Sequence, residues 1–241
     1  MLILLNGNLL KVLVLLTVFA LSSAGCQKAP VTEPPLSDSS KAVSFLALGD
    51  SYTIGEGVPE QERWPNQLAD SLRKYGALVD TPQIIAVTGW TTDELSRGID
   101  AANPSGTYTL VSLLIGVNNQ YRGRDTAEYR TQLKALMLRA IGFSGTPSRV
   151  LVVSIPDWGV TPFATGRNRE RIAREIDIYN SIKGEVAAEL GCPYFYITDL
   201  TRAAAFDNTL LAPDGLHPSG RLYAQWVQRM LPAVKKITGL Q

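Results

Sequence analysis

Five short apolar runs separated by stretches of helical periodicity constrain this chain more than any other feature. The runs are residues 43–48, 83–87, 108–115, 149–155 and 194–197. Each is rich in β-branched or aromatic residues and nearly continuous in its apolar character, as in strands buried on both faces. Between them, Trp64, Leu68, Leu72 and Tyr75 recur at helical spacing, with Gly76 as a stop. Thr91-Thr92-Asp93-Glu94 reads as a helix start, and Tyr129, Leu133, Leu136, Met137 and Ile141 mark a further helix. Ile172, Ile176, Tyr179, Ile182, Val186 and Leu190 step along a long one; Leu222, Tyr223, Trp226, Val227 and Met230 line the last, with Ser219 as its N-cap. Strands alternating with helices predict a five-stranded parallel sheet covered on both faces, a three-layer α/β/α sandwich. With 45% hydrophobic residues in 241, there is material for one sizeable core and no sign of a repeat.

In such a sheet the carboxyl ends of all strands share one edge, where ligands bind. Ser51, Gly89, Asn118 and Trp158 all fall just after predicted strands and therefore converge on one crevice. A serine hydroxyl is a weak nucleophile without a base. The chain has a single histidine, His217, so a serine–histidine mechanism would have to join Ser51 to it across the whole sequence. Asp214, three residues before His217, and Asp199, after the fifth strand, compete to orient the imidazole. The spacing favours Asp214, since one short loop can hold both groups. Taken singly, these residues also fit ordinary turns: Gly89 a turn glycine, Asn118 and Asp214 Asx turns or caps. Trp90, Tyr121 and Trp158 lie beside the predicted crevice and suit a platform for a sugar ring or acyl chain, or plain packing. Trp64 and Trp226 fall on helical apolar stripes and belong to the core.

The serine sits in G-D-S-Y-T, which is not the G-x-S-x-G elbow of α/β-hydrolases. The sequence instead resembles the SGNH hydrolase (GDSL-type esterase) family in four blocks in the right order: Gly49-Asp50-Ser51, Gly89, Gly116-Val117-Asn118, and Asp214-Gly215-Leu216-His217. The resemblance implies a flavodoxin-like sandwich over residues 43–241. It implies a serine esterase with Ser51 as nucleophile, His217 as base and Asp214 as its partner. The oxyanion would be bound by the Ser51 and Gly89 backbone N–H groups and the Asn118 amide. No cofactor and no metal are expected. Asn119 stands where the family usually carries aspartate; an asparagine keeps one acceptor and gains a donor, so it can still pin a loop. The expected substrate is a small-molecule or polysaccharide ester, with removal of acetyl groups from carbohydrate or cell-envelope esters as the first reading. Lysophospholipase or thioesterase action on longer chains, or an inactive envelope binding module, are the alternatives. A flavodoxin-like binding protein lacks support, because no glycine loop is present to cradle a phosphate.

Residues 1–25 read as a targeting segment: Lys11, an apolar run from 12 to 21, then Ser22-Ser23-Ala24-Gly25 before Cys26. This resembles a bacterial lipoprotein signal, which implies lipidation of Cys26 and anchoring in the cell envelope; plain secretion is the alternative. Ser23, where leucine is usual, departs from that pattern. Residues 26–42, rich in Pro, Ser and Thr, read as a flexible tether. If Cys26 carries lipid, Cys192 has no disulfide partner and reads as a buried small hydrophobe. Two cysteines without a CxxC pair leave no structural zinc site, and a net charge of +1 gives no reason to expect nucleic acid. The R-N-R-E-R string at 167–171 is mixed in sign and reads as a solvated helix start. A monomer is expected.

Overall fold

The computed structural model describes residues 42–240. The proposed signal, Cys26 and nearly all of the tether lie outside them. Five parallel strands form one sheet in the order β2-β1-β3-β4-β5: β1 Phe45–Gly49, β2 Gln83–Ala86, β3 Leu110–Leu114, β4 Val150–Val153 and β5 Tyr194–Phe195. The α/β sandwich with a five-stranded parallel sheet is the one expected. The first strand starts two residues later than its apolar run. Val43 instead makes an isolated bridge to Val79.

Each pair of consecutive strands is joined through at least one helix. After β1, α1 (Ser51–Ile54) and α2 (Trp64–Lys74) precede β2; α3 (Thr92–Ala102) precedes β3; α4 (Val117–Tyr121) and α5 (Thr126–Ser144) precede β4. The long α6 (Arg169–Leu190) precedes β5, and α7 (Thr198–Arg202) and α8 (Gly220–Thr238) close the chain. Helices α2 and α8 pack together on one face, while α5 lies between α3 and α6 on the other. Trp64 and Trp226 are fully buried, as their stripes predict. Cys192 is a buried free thiol.

The turn α1 and the helices α4 and α7 were not foreseen. At four or five residues they are too short to show a period, and only α1 carries a side-chain cap. The Asp50 side chain accepts the Tyr52 N–H at the start of α1.

The sheet order places the reversal of strand order between β1 and β3. The chain steps from β1 outward to β2, then back across to β3. Ligands gather at such a switch point, outside the carboxyl ends of the two strands. Gly49, the last residue of β1, has no room for a side chain there: an added Cβ would fall 2.1 Å from Thr53 Oγ1 and 2.4 Å from the Leu114 carbonyl of β3. The tip of β1 is therefore clamped between its neighbour and the turn that follows.

Candidate active site

At this switch point a cleft of about 130 Å³ is lined by Ser51 and Tyr52 after β1, Val117, Asn118 and Tyr121 after β3, Trp158 and Phe163 after β4, and Leu216 and His217 before α8. Ser51, from one end of the domain sequence, and the lone histidine, from the other, thus face the same space. Among the described residues no hydrogen bond joins the two side chains. Such bonds often tighten only when substrate is bound.

Ser51 opens α1, and its backbone N–H donates to no acceptor among the described residues. The first N–H groups of any helix lack an intrahelical partner, which leaves this one available. Behind it, Asp50 is completely buried. One carboxylate oxygen takes the Tyr52 N–H at 3.1 Å, and the other has no hydrogen-bond partner among the described residues. Burial pushes this carboxyl up to about 7, against a smaller downward pull from the Lys183 ammonium. Lys183 is itself fully buried, with Nζ donating to the Val153 carbonyl at the end of β4 at 2.9 Å. Burial pushes it down to about 7, opposed by the Asp50 charge.

His217 is held by a loop that supplies its own partner. Gly215 N–H closes a turn onto the Ala212 carbonyl at 3.0 Å, with Pro213 in its second position. Asp214 Oδ1 then accepts the Leu216 and His217 N–H groups at 2.9 and 3.0 Å, and Oδ2 lies 2.7 Å from His217 Nδ1. Burial alone would raise the Asp214 carboxyl. The hydrogen bonds from His217 and Leu216 outweigh it and hold the group below its ordinary range. The Tyr52 ring packs on the imidazole with centroids 5.0 Å apart. Asp199, the rival, pairs with Arg229 and takes no part in this loop.

The donors after β2 and β3 are organised around Asn118. Its Nδ2 gives one hydrogen to the Trp90 carbonyl at 3.0 Å, leaving the other free. Gly89 adopts a left-handed φ of 86°, and its N–H meets no acceptor among the described residues. It is not among the residues lining the cleft. Its turn is tied to the loop after α1 by Thr88 Oγ1 donating to Glu56 Oε2 at 2.5 Å. Asn119 is buried: Oδ1 accepts the Thr92 N–H at 3.1 Å and Nδ2 donates to the Thr92 hydroxyl at 2.7 Å.

The three aromatics separate. Trp158 is buried at the cleft wall, with Nε1 donating to Gln120 Oε1 at 2.7 Å. Tyr121 stands edge-on to it at 5.3 Å and is 42% exposed. The expectation for Trp90 is corrected: its indole occupies the space over Gly98 of α3, where an added Cβ would fall 2.1 Å from the ring. Only its carbonyl serves the site. Phe163 and Leu216 complete the wall and were missed, because a loop and a turn give no periodic signal. Lys183 was missed for another reason. The expected stripe on α6 ran through Ile182, whereas the buried stripe runs Tyr179, Asn180, Lys183, Val186. The spacing of Lys183 from Tyr179 and Val186 was the available sign.

The profile of the GDSL-like Lipase/Acylhydrolase family matches residues 47–225. No curated protein matches the sequence. Among solved structures, the chain resembles TesA at 20% identity and a TM-score of 0.63, over 80% of this chain and 99% of that one. It also resembles the psychrotrophic esterase EstA from Pseudoalteromonas sp., inhibited by monoethylphosphonate, at 19% identity and 0.62, over 80% and 97%. The acetyl xylan esterase AlAXEase matches at 17% and 0.61, over 80% and 100%.

The Asp50–Lys183 arrangement yields a stability prediction. Between 3.8 and about 7 the fold retains a proton on Asp50 that the unfolded chain has lost, so this group's contribution to stability falls as pH rises. Lys183 acts oppositely between about 7 and 10.5, where the unfolded chain keeps the proton. Lys183→Met removes the second effect: in thermal melts the wild type should gain stability as pH rises from about 7 toward 10.5, and the variant should lack that gain. The same rise in both proteins would show that Lys183 does not titrate in the fold.

The profile match spans most of the chain, and the four sequence blocks lie on the fold's switch-point edge: the protein belongs to the GDSL-like lipase/acylhydrolase family and is a carboxylic ester hydrolase.

Proposed function

We propose that the protein removes short acyl groups, acetyl foremost, from carbohydrate or other cell-envelope esters through a Ser51–His217–Asp214 triad. The observation that carries this reading is that Ser51 and the Asp214-bound imidazole of His217 line one cleft of about 130 Å³. That space is small beside the roughly 300–1,000 Å³ of sites that enclose drug-sized ligands, and it suits an acyl group of a few atoms.

In the proposed reaction His217 Nδ1–H donates a hydrogen bond to Asp214, which leaves the Nε2 lone pair to take the Ser51 hydroxyl proton as Oγ attacks the ester carbonyl. Charge on the former carbonyl oxygen is met by the Ser51 and Gly89 N–H groups and the second Asn118 amide hydrogen. Collapse expels the alkoxide, which takes the proton from Nε2. Water, activated by the same imidazole, then releases the acid and restores Ser51. Trp158 and Tyr121 form the wall along which the rest of the ester lies. The likeness to structures described as an esterase and an acetyl xylan esterase supports this choice of substrate.

Ser51→Ala is expected to abolish ester turnover and labelling by a fluorophosphonate while leaving the melting temperature within a degree or two; a folded, active variant ends the proposal. Asn118→Ala should lower kcat by about 10²–10³. On nitrophenyl esters, acetyl should turn over faster than octanoyl. The reverse order moves the assignment to longer chains, as in a lysophospholipase or thioesterase. The same reading puts the enzyme on a lipid carried by Cys26 at the bacterial envelope. Cys26→Ser should shift the protein from the membrane to the soluble fraction, and unchanged partitioning would rule out that anchor.

A further inference from the structure

Beyond Tyr121 and Trp158 lies a second cavity of about 450 Å³. The two rings line both spaces, so a ligand leaving the cleft over them enters it. Its charged lining is Arg167, Arg171 and Glu175. Glu175 is already committed: Oε2 accepts Gln120 Nε2 at 2.7 Å, and Oε1 lies 3.5 Å from Arg171 Nε. Arg171 is thereby balanced. Arg167 is not, since no carboxylate pairs with it among the described residues.

The Arg167 guanidinium lies over the Tyr121 ring at 5.2 Å and the Trp158 ring at 5.5 Å, and it donates one N–H to Tyr121 Oη at 3.2 Å. Two aromatic faces restrict the orientation of the planar group. Four of its five donors remain without a partner among the described residues. An arginine held in this way has lost part of its side-chain freedom before any ligand arrives, and its fork matches carboxylate or phosphate oxygens in pairs. This placement is more specific than a solvated helix start, the reading its sequence context invites. The cation stands where the non-acyl part of a short-chain ester would emerge from the cleft.

We propose that Arg167 is a specificity-determining residue that selects esters whose non-acyl part carries a carboxylate or phosphate. This rests on the hydrolase reading above and names the charge class of its substrate. Binding would place the anion against the guanidinium edge while the acyl carbonyl reaches Ser51. Because the pair is partly exposed, its effect should be modest and screened by salt.

The test compares kcat/KM on matched pairs. 4-Acetoxybenzoate against its methyl ester reads a carboxylate; monoacetylglycerol phosphate against monoacetylglycerol reads a phosphate. Arg167→Gln should lower the anionic-to-neutral ratio about fivefold in at least one pair, with the effect shrinking in 0.5 M salt. The pair that responds identifies the anion. Arg174→Gln, an exposed arginine of α6 outside both cavities, should leave the ratio unchanged. Equal losses on charged and neutral esters would overturn the proposal by reducing Arg167 to packing on the rings, and so would unchanged ratios in both pairs. The same comparison runs without turnover as binding of 4-acetoxybenzoate to Ser51→Ala protein, followed by tryptophan fluorescence. A weaker fit on adding Arg167→Gln supports the subsite, and an unchanged one rejects it. A wild-type protein inactive on every ester would therefore sink the hydrolase mechanism while this question was still decided.

Discussion

The burial of Asp50 just past the tip of β1 is the constraint from which the site follows. A carboxyl removed wholly from water is costly unless its oxygens are satisfied, and here only one accepts a hydrogen bond from the described residues. That single bond caps α1 and fixes where the next residue, Ser51, begins its helical turn. Gly49 on the other side allows no slack, because strand β3 and Thr53 close on it. The serine is thus aimed by a clamp on its two preceding residues, with Lys183 supplying a compensating charge from α6. Local destabilisation at a functional site, offset by the packed layers around it, is a recurring arrangement.

The imidazole is positioned by different means. Almost everything that holds His217 comes from within residues 212–218: a proline turn, two N–H groups on one Asp214 oxygen, and the imidazole on the other. Tyr52 reaches it from elsewhere, by ring packing. The base half therefore depends on the sheet for its meeting with Ser51 but not for its internal geometry. The nucleophile is set by a buried carboxyl and a clamped strand end, while the base is set by a short turn.

What was readable in the sequence divides along the same line. The strands and long helices announce themselves by period, and Asp214–His217 is legible because its partners are three residues apart. Ser51, Asn118 and His217 reach one cleft through strand order, which alternation and crossover handedness largely dictate. Contacts without period or proximity were not legible. Trp90 stands beside the crevice in sequence, yet Gly98 leaves a gap on α3 that its ring fills. Lys183 lies on an apolar stripe that a neighbouring isoleucine appeared to claim, and no spacing rule links it to Asp50, 133 positions earlier. Phe163 and Arg167 come from the irregular segment after β4, where only the folded chain shows which side chains turn inward.

Asn119 illustrates how a departure from a family pattern can preserve the geometry it serves. A carboxylate at this position can only accept, so both Thr92 groups would have to donate to it. The amide instead accepts the Thr92 N–H and donates to the Thr92 hydroxyl, freeing that hydroxyl to donate onward to Gln132. The start of α3 is still tied to α4, and the chain is extended into α5 without placing a buried charge. Asn118, one residue earlier, keeps its hydrogen bond to Trp90 and its free amide hydrogen. Losing the negative charge also removes a field that would oppose anionic charge developing on a bound carbonyl oxygen nearby. The change to asparagine thus acts in the same direction as the unpaired Arg167 at the rim: both make this edge of the sheet more hospitable to negative charge.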